Sequence, residues 1–113
     1  MTTIQEADRE SAAVAKAPRV SLAEIEAAIL HQYHVTGADA VGNGKPVDRA
    51  LDILSICILF MRNGFTVIGK SAPASPENFN ADLGKKLAYE DCIRQLWALM
   101  GFALRDRLSK EPA

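Results

Sequence analysis

Residues 62–71 read RNGFTVIGKS and decide the fold, because they place the clearest strand of the chain directly after a sharp stop. Gly64 can adopt the left-handed backbone conformation that ends a helix. Successive side chains then alternate, so that Phe65 and Val67 point to the same side of a β-strand. A single strand cannot satisfy its own backbone hydrogen bonds. We therefore expect this strand to pair with residues 33–45 upstream or with the same strand of a second copy.

A long amphipathic helix follows the loop at residues 72–76. Ser75-Pro76 and Asn80 are both reasonable starting points, and the helix is expected to continue to about Ser109. One broad apolar face carries Phe79, Leu83, Leu87, Ile93, Trp97, Met100 and Leu104, and the nearly opposite face carries Ala88, Cys92, Leu96, Leu99 and Ala103. Two apolar faces exceed what one small core uses. The second face is therefore either a subunit interface or a surface covered by the N-terminal helix.

Two helices are predicted before the strand. Ser21 and Glu24 form the pattern of a capping box, which starts a helix that continues to about Tyr33. Pro46 suits the first turn of a second helix over residues 47–61, whose apolar residues on all sides indicate complete burial. Residues 33–36, after the first helix and just before the glycine-rich loop, could form a short strand.

These elements predict a helix-rich α+β fold with three helices, a short antiparallel β element and a long C-terminal helix. The length of 113 residues suits a single domain. Residues 1–19 are polar and rich in alanine, which is typical of a disordered N-terminal tail. The folded domain is expected over residues 20–110.

Composition excludes several classes of function. The formal net charge of −1 provides no general attraction to nucleic acid. The longest apolar run, residues 53–61, is too short to span a membrane, and the N-terminus lacks the apolar core of a secretory signal. Cys57 and Cys92 both lie in apolar helical patterns, which favours reduced thiols in a cytoplasm.

No set of residues in the sequence predicts catalysis. There is no Ser–His–acid signature, no pair of carboxylates and no cluster with metal-ligand spacing. His31 and His34 alone are too few ligands for zinc. The glycine-rich loop before Lys45 lacks the first glycine and the final hydroxyl residue of a phosphate-binding loop. We therefore expect a protein that is not an enzyme and has no cofactor.

Several polar residues could instead contact a ligand or a partner. Glu90 falls within the apolar stripe of the long helix, where Arg94 could pair with it; it has either a structural or a binding role. The residues predicted for such a site are Asn63, Lys70, Ser71, Asn78, Glu90, Arg94 and Arg105. Turn and cap formation would by itself account for the serines and asparagines.

Three groups of motifs in one register resemble a known family. They are Asn63-Gly64-Phe65-Thr66-Val67-x-Gly69 with Ser75-Pro76-Glu77-Asn78-Phe79, then Gly84-Lys85-Lys86-x-Ala88-x-Glu90, and finally Trp97-x-Leu99-x-Gly101-Phe102 with Arg105-x-Arg107-Leu108. Together they resemble a family of small tailed-bacteriophage proteins named for gene products 49 and 66 of two enterobacterial phages. Lys70 and Met100 stand where an acid is common in that family, and Ala98 where proline is common. The resemblance implies a phage or prophage accessory protein acting in the bacterial cytoplasm.

The sequence and the resemblance together predict function by contact. We expect a homo-oligomer that binds or inhibits a host bacterial protein, in host takeover or anti-defence, without contacting membrane or nucleic acid. The alternative is a protein that sequesters a small nucleotide-like signal.

Overall fold

The computed structural model describes residues 3–42 and 48–112 and confirms the α+β class, with an antiparallel sheet and a long C-terminal helix. The described helices are α1 (Ile4–Val14), α2 (Leu22–Ala27), α3 (Gly37–Val41) and α4 (Ala81–Ser109). The strands are β1 (Ile29–Thr36), β2 (Ser55–Met61) and β3 (Thr66–Ser71), with short 3-10 turns at Arg49–Leu51 and Pro76–Asn78. The predicted positions of Lys45, Pro46 and Val47 lie outside the described residues.

The sheet has the order β1-β2-β3, and both pairs of strands are antiparallel. A tight hairpin turn joins β2 to β3. The Gly64 nitrogen donates to the Met61 carbonyl at 2.9 Å, and the Phe65 nitrogen donates to Asn63 Oδ1 at 3.0 Å. Gly64 has a φ of +90°, which an L-residue rarely adopts. Asn63 and Gly64 therefore form the turn of a β-hairpin and do not end a helix.

The predicted helix over residues 47–61 is wrong, because the apolar part of this stretch forms β2. β2 is the central strand, with β1 on one side and β3 on the other. A central strand carries apolar residues on both faces, so its sequence is continuously apolar and resembles a buried helix. The strand ends at Met61, directly before the turn.

The first predicted helix is also shorter than its sequence pattern indicated. Ser21 does begin α2, and its side chain accepts a hydrogen bond from the Glu24 nitrogen at 3.1 Å. The helix ends at Ala27, and the chain continues as β1 from Ile29. The short strand considered for residues 33–36 is the second half of this eight-residue strand. β1 pairs with β2 along most of its length, and this tertiary pairing overrides the helical spacing.

α4 covers one face of the sheet and contributes four buried residues to the core. Asn80 is its N-cap and accepts a hydrogen bond from the Leu83 nitrogen at 3.0 Å. The buried residues Ala88, Cys92 and Leu96 pack toward β2 and β3 with Ile93. The face with Ala88, Cys92 and Leu96 was expected to be a subunit interface or to be covered by the N-terminal helix, but it packs mainly on the sheet and is the core face.

α4 also closes the outer edge of β3. The Lys70 nitrogen donates to an Asp91 carboxylate oxygen at 3.0 Å, and Gln95 Nε2 donates to the Ile68 carbonyl at 2.8 Å. Gly69 lies between these bonds, so close to α4 that a Cβ there would lie 2.8 Å from the Cys92 nitrogen. β3 is thus bonded to β2 on one side and to α4 side chains on the other. The expected pairing of this strand with residues 33–45 or with a second copy, the reason for predicting self-association, is wrong, because it pairs with β2 of its own chain.

The N-terminal residues are more ordered than their composition indicated. α1 occupies much of the predicted disordered tail, residues 1–19, and its Ile4 side chain is buried in the core. Asp8 accepts hydrogen bonds from Arg19 Nη1 at 2.9 Å and from the Leu22 nitrogen at 3.0 Å. These contacts hold α1 against the start of α2. A few specific contacts therefore order a segment whose polar composition is typical of a disordered tail. Among the described residues, no helix is long and apolar enough to cross a membrane.

Candidate functional site

One face of the sheet faces α4 and the other is left uncovered by the described helices. Cys57, Leu59 and Met61 of β2 are buried toward α4, so the alternate residues point to the opposite side. The strand register places residues of β1 and β3 beside them in three rows. We call this surface the open sheet face; its residues are His31, Tyr33, Val35, Ile56, Ile58, Phe60, Thr66, Ile68 and Lys70.

The open sheet face is mostly apolar. Its middle row consists of Tyr33, Ile58 and Ile68, which lie directly opposite one another on the three strands. Ile68 is 61% exposed and Tyr33 is 54% exposed. The His31 ring centroid lies 6.1 Å from those of Tyr33 and Phe60, so aromatic rings continue the patch along the sheet. Contiguous exposed apolar surface of this kind marks interaction sites more often than isolated apolar residues do.

A second feature is a polar cleft between β1 and the first turns of α4, with a volume of about 300 Å³. We call it the β1–α4 cleft; its lining residues are His34, Val35, Thr36, Asp39, Ser55, Ile56, Phe79, Ala81 and Lys85. Asp39 and Thr36 bond reciprocally as a capping box at the start of α3, with both bonds at 3.0 Å. The hydrogen bond from the Thr36 nitrogen holds the pKa of Asp39 below its usual value.

His34 is the least satisfied polar residue of the cleft. Its Nε2 lies 2.7 Å from Gln32 Nε2, while its Nδ1 is buried and has no hydrogen-bond partner among the described residues. Burial, and secondly the positive charge of Lys85, lowers the pKa of His34, so the ring is neutral at pH 7. A buried polar atom without a partner costs roughly 1–3 kcal/mol.

Ser55 lies at the end of β2 beside His34 on the side of the sheet that faces α4. Only 5% of Ser55 is exposed, and it lines the β1–α4 cleft. Gly84 of α4 packs directly against it, since a Cβ at Gly84 would overlap Ser55 Oγ. A glycine in the second turn of a helix therefore makes room for this hydroxyl.

An apolar groove of about 430 Å³ lies at the other end of the sheet. It is bounded by the hairpin turn at Asn63 and Phe65 and by Leu96, Leu99 and Met100 of α4. The Asn63 side chain is already engaged in the turn through Phe65. Phe102, on the adjoining part of α4, is 77% exposed. Arg62 also lines the groove, and its Nε donates to the Ala27 carbonyl at 2.8 Å.

The seven predicted site residues do not share one pocket. Asn63 lies in the hairpin turn, whereas Ser71 lies opposite Ser55 at the far end of β3, and Asn78 lies in the 3-10 turn before α4. Lys70 is an exposed residue of the open sheet face. The open sheet face was not predicted from the sequence. The feature that could have indicated it is the Asn-Gly turn between two apolar runs, which predicts a hairpin.

The other predicted residues lie along α4. Glu90 is half-buried and lines a small cleft of about 80 Å³ with Lys86 and Tyr89, while Arg94 and Arg105 are exposed. The ion pairs of the described residues join Arg19 to Asp8 and Lys110 to Asp106. Glu90 and Arg94 therefore do not form the ion pair that their spacing suggested.

The cysteines serve the core. Cys57 and Cys92 are free and buried, and Cys92 Sγ donates to the Cys57 carbonyl at 3.6 Å. The hydrogen bond with the Cys57 thiol, and secondly burial, raises the pKa of Cys92, which keeps this thiol protonated. Within the described part of the chain, no group of three or more His, Cys, Asp or Glu residues could hold a metal ion.

A two-layer α+β domain with an uncovered apolar sheet face is the class of protein that these features define. Residues 20–108 match the family described as phage protein (N4 Gp49/phage Sf6 gene 66), and the chain belongs to this family of phage proteins. The match begins just before α2 and includes all three strands and nearly all of α4. No curated protein and no solved structure matches the chain.

Proposed function

We propose that this phage protein acts by binding a host bacterial protein through the open sheet face, without catalysis. The observation that supports the proposal is the row of Tyr33, Ile58 and Ile68, an apolar row on the side of the sheet away from α4. Antiparallel sheets with one face in water ordinarily alternate apolar and polar residues. Here the side facing water is apolar as well, which favours burial against a partner.

Burial of the apolar side chains of this face would favour a contact. Each Å² of apolar surface removed from water contributes roughly 25 cal/mol, and aromatic residues dominate many interfaces. Tyr33 and Phe60 supply two aromatic rings to the face. Lys70, at its edge, supplies a positive charge that would orient a partner with an acidic rim.

The phage family gives this contact its setting. In host takeover or anti-defence, a phage protein can act on a host protein by contact alone, without catalysis. Self-association, the other predicted contact, would use the same face. Sequestration of a small ligand by the seven predicted residues has less support, because they are distributed over separate parts of the chain.

Affinity capture with matched variants tests the proposal. Wild type, Ile68→Ser and Phe102→Ser would be used to capture proteins from host lysate; both substitutions remove an exposed apolar side chain, but Phe102 lies on α4. We expect wild type and Phe102→Ser to retain the same stoichiometric host protein and Ile68→Ser to retain at least tenfold less. Equal retention by Ile68→Ser, or selective loss with Phe102→Ser, would refute the proposed surface. Failure of all three proteins to retain any stoichiometric partner would refute host binding.

Sedimentation equilibrium of the same variants separates the host contact from self-association. A dimer of wild type that Ile68→Ser converts to monomer would assign the face to a second copy. A monomer in both cases, with partner loss in Ile68→Ser, would assign it to the host protein. Urea unfolding of each variant verifies that the substitutions leave the fold intact.

A further inference from the structure

We propose that the β1–α4 cleft binds a small organic ligand through one oxyanion group, a carboxylate or a phosphate monoester. Lys85 would supply the positive charge, and Ser55 and His34 would supply hydrogen-bond donors. Ser55 and His34 point to the α4 side of the sheet, away from the row of Tyr33, Ile58 and Ile68, although Val35 and Ile56 of the open sheet face also border the cleft.

The tautomer of His34 makes its buried nitrogen a donor. The Gln32 amide nitrogen can only donate, so His34 Nε2 accepts across the 2.7 Å contact. A neutral imidazole that accepts at Nε2 carries its hydrogen on Nδ1. Nδ1 is the atom that is buried without a partner among the described residues. Buried donors are ordinarily paired, with protein, water or ligand, so an acceptor is expected at this position.

Ser55 provides the second donor. It is almost completely buried and it lines the cleft, so its hydroxyl is placed to contact a ligand bound there. The register places Ser55 opposite Thr36 and Cys57 opposite His34, so Ser55 and His34 are diagonal neighbours on adjacent strands. Side chains in this relation reach a common group. A single oxyanion, with several lone pairs, can accept from both donors.

The charges of the lining limit what the ligand can be. Lys85 is the cation of the described lining, and Asp39 is the anion. The Asp39 carboxylate is engaged with Thr36 in the α3 cap but keeps its negative charge. A polyphosphate would meet this charge and find only one cation, whereas a single oxyanion group can be matched by Lys85. The volume of about 300 Å³ is also at the lower end of small-molecule pockets.

Nuclear magnetic resonance of the His34 imidazole reports directly on binding. Sodium acetate and sodium phosphate would be titrated at constant ionic strength into wild type, Lys85→Ala, Ser55→Ala and Lys86→Ala. Lys86 is the matched control, because it is the neighbouring lysine but lines the small cleft beside Glu90. The acetate and phosphate arms distinguish a carboxylate from a phosphate group as the preferred ligand.

We expect a saturable shift of the His34 resonances with at least one of the two anions. The dissociation constant should rise at least tenfold in Lys85→Ala and severalfold in Ser55→Ala, and stay unchanged in Lys86→Ala. A linear, unsaturable shift with both anions would overturn the site, as would an equal effect of Lys86→Ala. Lys85 is exposed, so its substitution keeps the test valid even if Ser55→Ala unfolds. Ile68→Ser should leave the titration unchanged, which keeps this result independent of host binding.

Discussion

Replacing Gly69 with alanine tests whether close contact between β3 and α4 holds the two layers together. An added Cβ would overlap the Ala88 carbonyl oxygen and lie 2.7 Å from Cys92 Sγ and 2.8 Å from the Cys92 nitrogen. Two of these three obstacles are backbone atoms, which cannot rotate away. α4 must therefore retreat from β3 by roughly 1 Å to restore ordinary contact distances.

The expected cost combines two effects. Overpacking of a well-packed core costs about 1–3 kcal/mol. The retreat also weakens the bonds that flank Gly69, from the Lys70 nitrogen to Asp91 and from Gln95 to the Ile68 carbonyl. Each exposed hydrogen bond of this kind contributes about 1 kcal/mol. We expect Gly69→Ala to lower the free energy of unfolding by about 3–5 kcal/mol, a large share of the roughly 5–15 kcal/mol of a typical domain.

Urea unfolding followed by far-ultraviolet circular dichroism and Trp97 fluorescence measures this loss. Gly101→Ala is the control, because no heavy atom of another part of the chain lies within 4 Å of a Cβ built there. Alanine is favoured over glycine in a helix by about 1 kcal/mol, so this variant should be more stable than wild type. A loss below about 1 kcal/mol for Gly69→Ala would refute the close-contact argument.

Two further predictions concern the N-terminal part of the chain. Trp97→Phe removes the hydrogen bond from Trp97 Nε1 to the Val20 carbonyl, 2.9 Å long, and should cost about 1–2 kcal/mol in urea unfolding; an unchanged midpoint would contradict it. Asp8→Asn should make the free energy of unfolding less dependent on pH in the acidic range. The backbone hydrogen bond from Leu22, and then the bond from Arg19, hold the pKa of Asp8 below its usual value, so its charge stabilises the fold above the unfolded pKa of about 3.9. That contribution is lost as pH falls through the lower, folded pKa, so the stability difference between wild type and Asp8→Asn should be present at neutral pH and shrink as the solution is acidified. A difference that does not shrink in acid would show that charge is not its cause.

The elements with local signals could be predicted from sequence. β3 alternates over a short run, and α4 begins at Asn80, which has the side chain of a good N-cap. The family, too, could be recognised from motifs in one register, and the match over residues 20–108 confirms it. Each of these features depends on neighbouring residues in the chain.

β2 could not be distinguished from a helix by its apolar content alone. Its seven residues are apolar apart from Ser55, and a central strand and a buried helix look alike over such a short run. The length, the β-branched Ile56 and Ile58, and the Asn-Gly turn that follows all favour a strand. Taken together, those three signals would have predicted the hairpin.

The open sheet face and the β1–α4 cleft depend on the register between strands, which hydrophobic periodicity along the sequence does not show. The register of β1 against β2 alone brings His34 beside Ser55, and β2 against β3 alone completes the row of Tyr33, Ile58 and Ile68. Alternation shows that β2 has two apolar sides. It does not show that a single long helix is available to cover only one of them.

Because α4 side chains bond to the outer edge of β3, only the β1 edge of the described sheet can pair with a strand of another molecule. In the described fold, Asp91 and Gln95 occupy the bonding positions at one margin of the sheet, while β1 has a neighbouring strand on only one side. If two copies joined along β1, the six-stranded product would end in a closed β3 margin at both sides. Growth would stop at a pair, so this architecture is protected against open-ended fibrils.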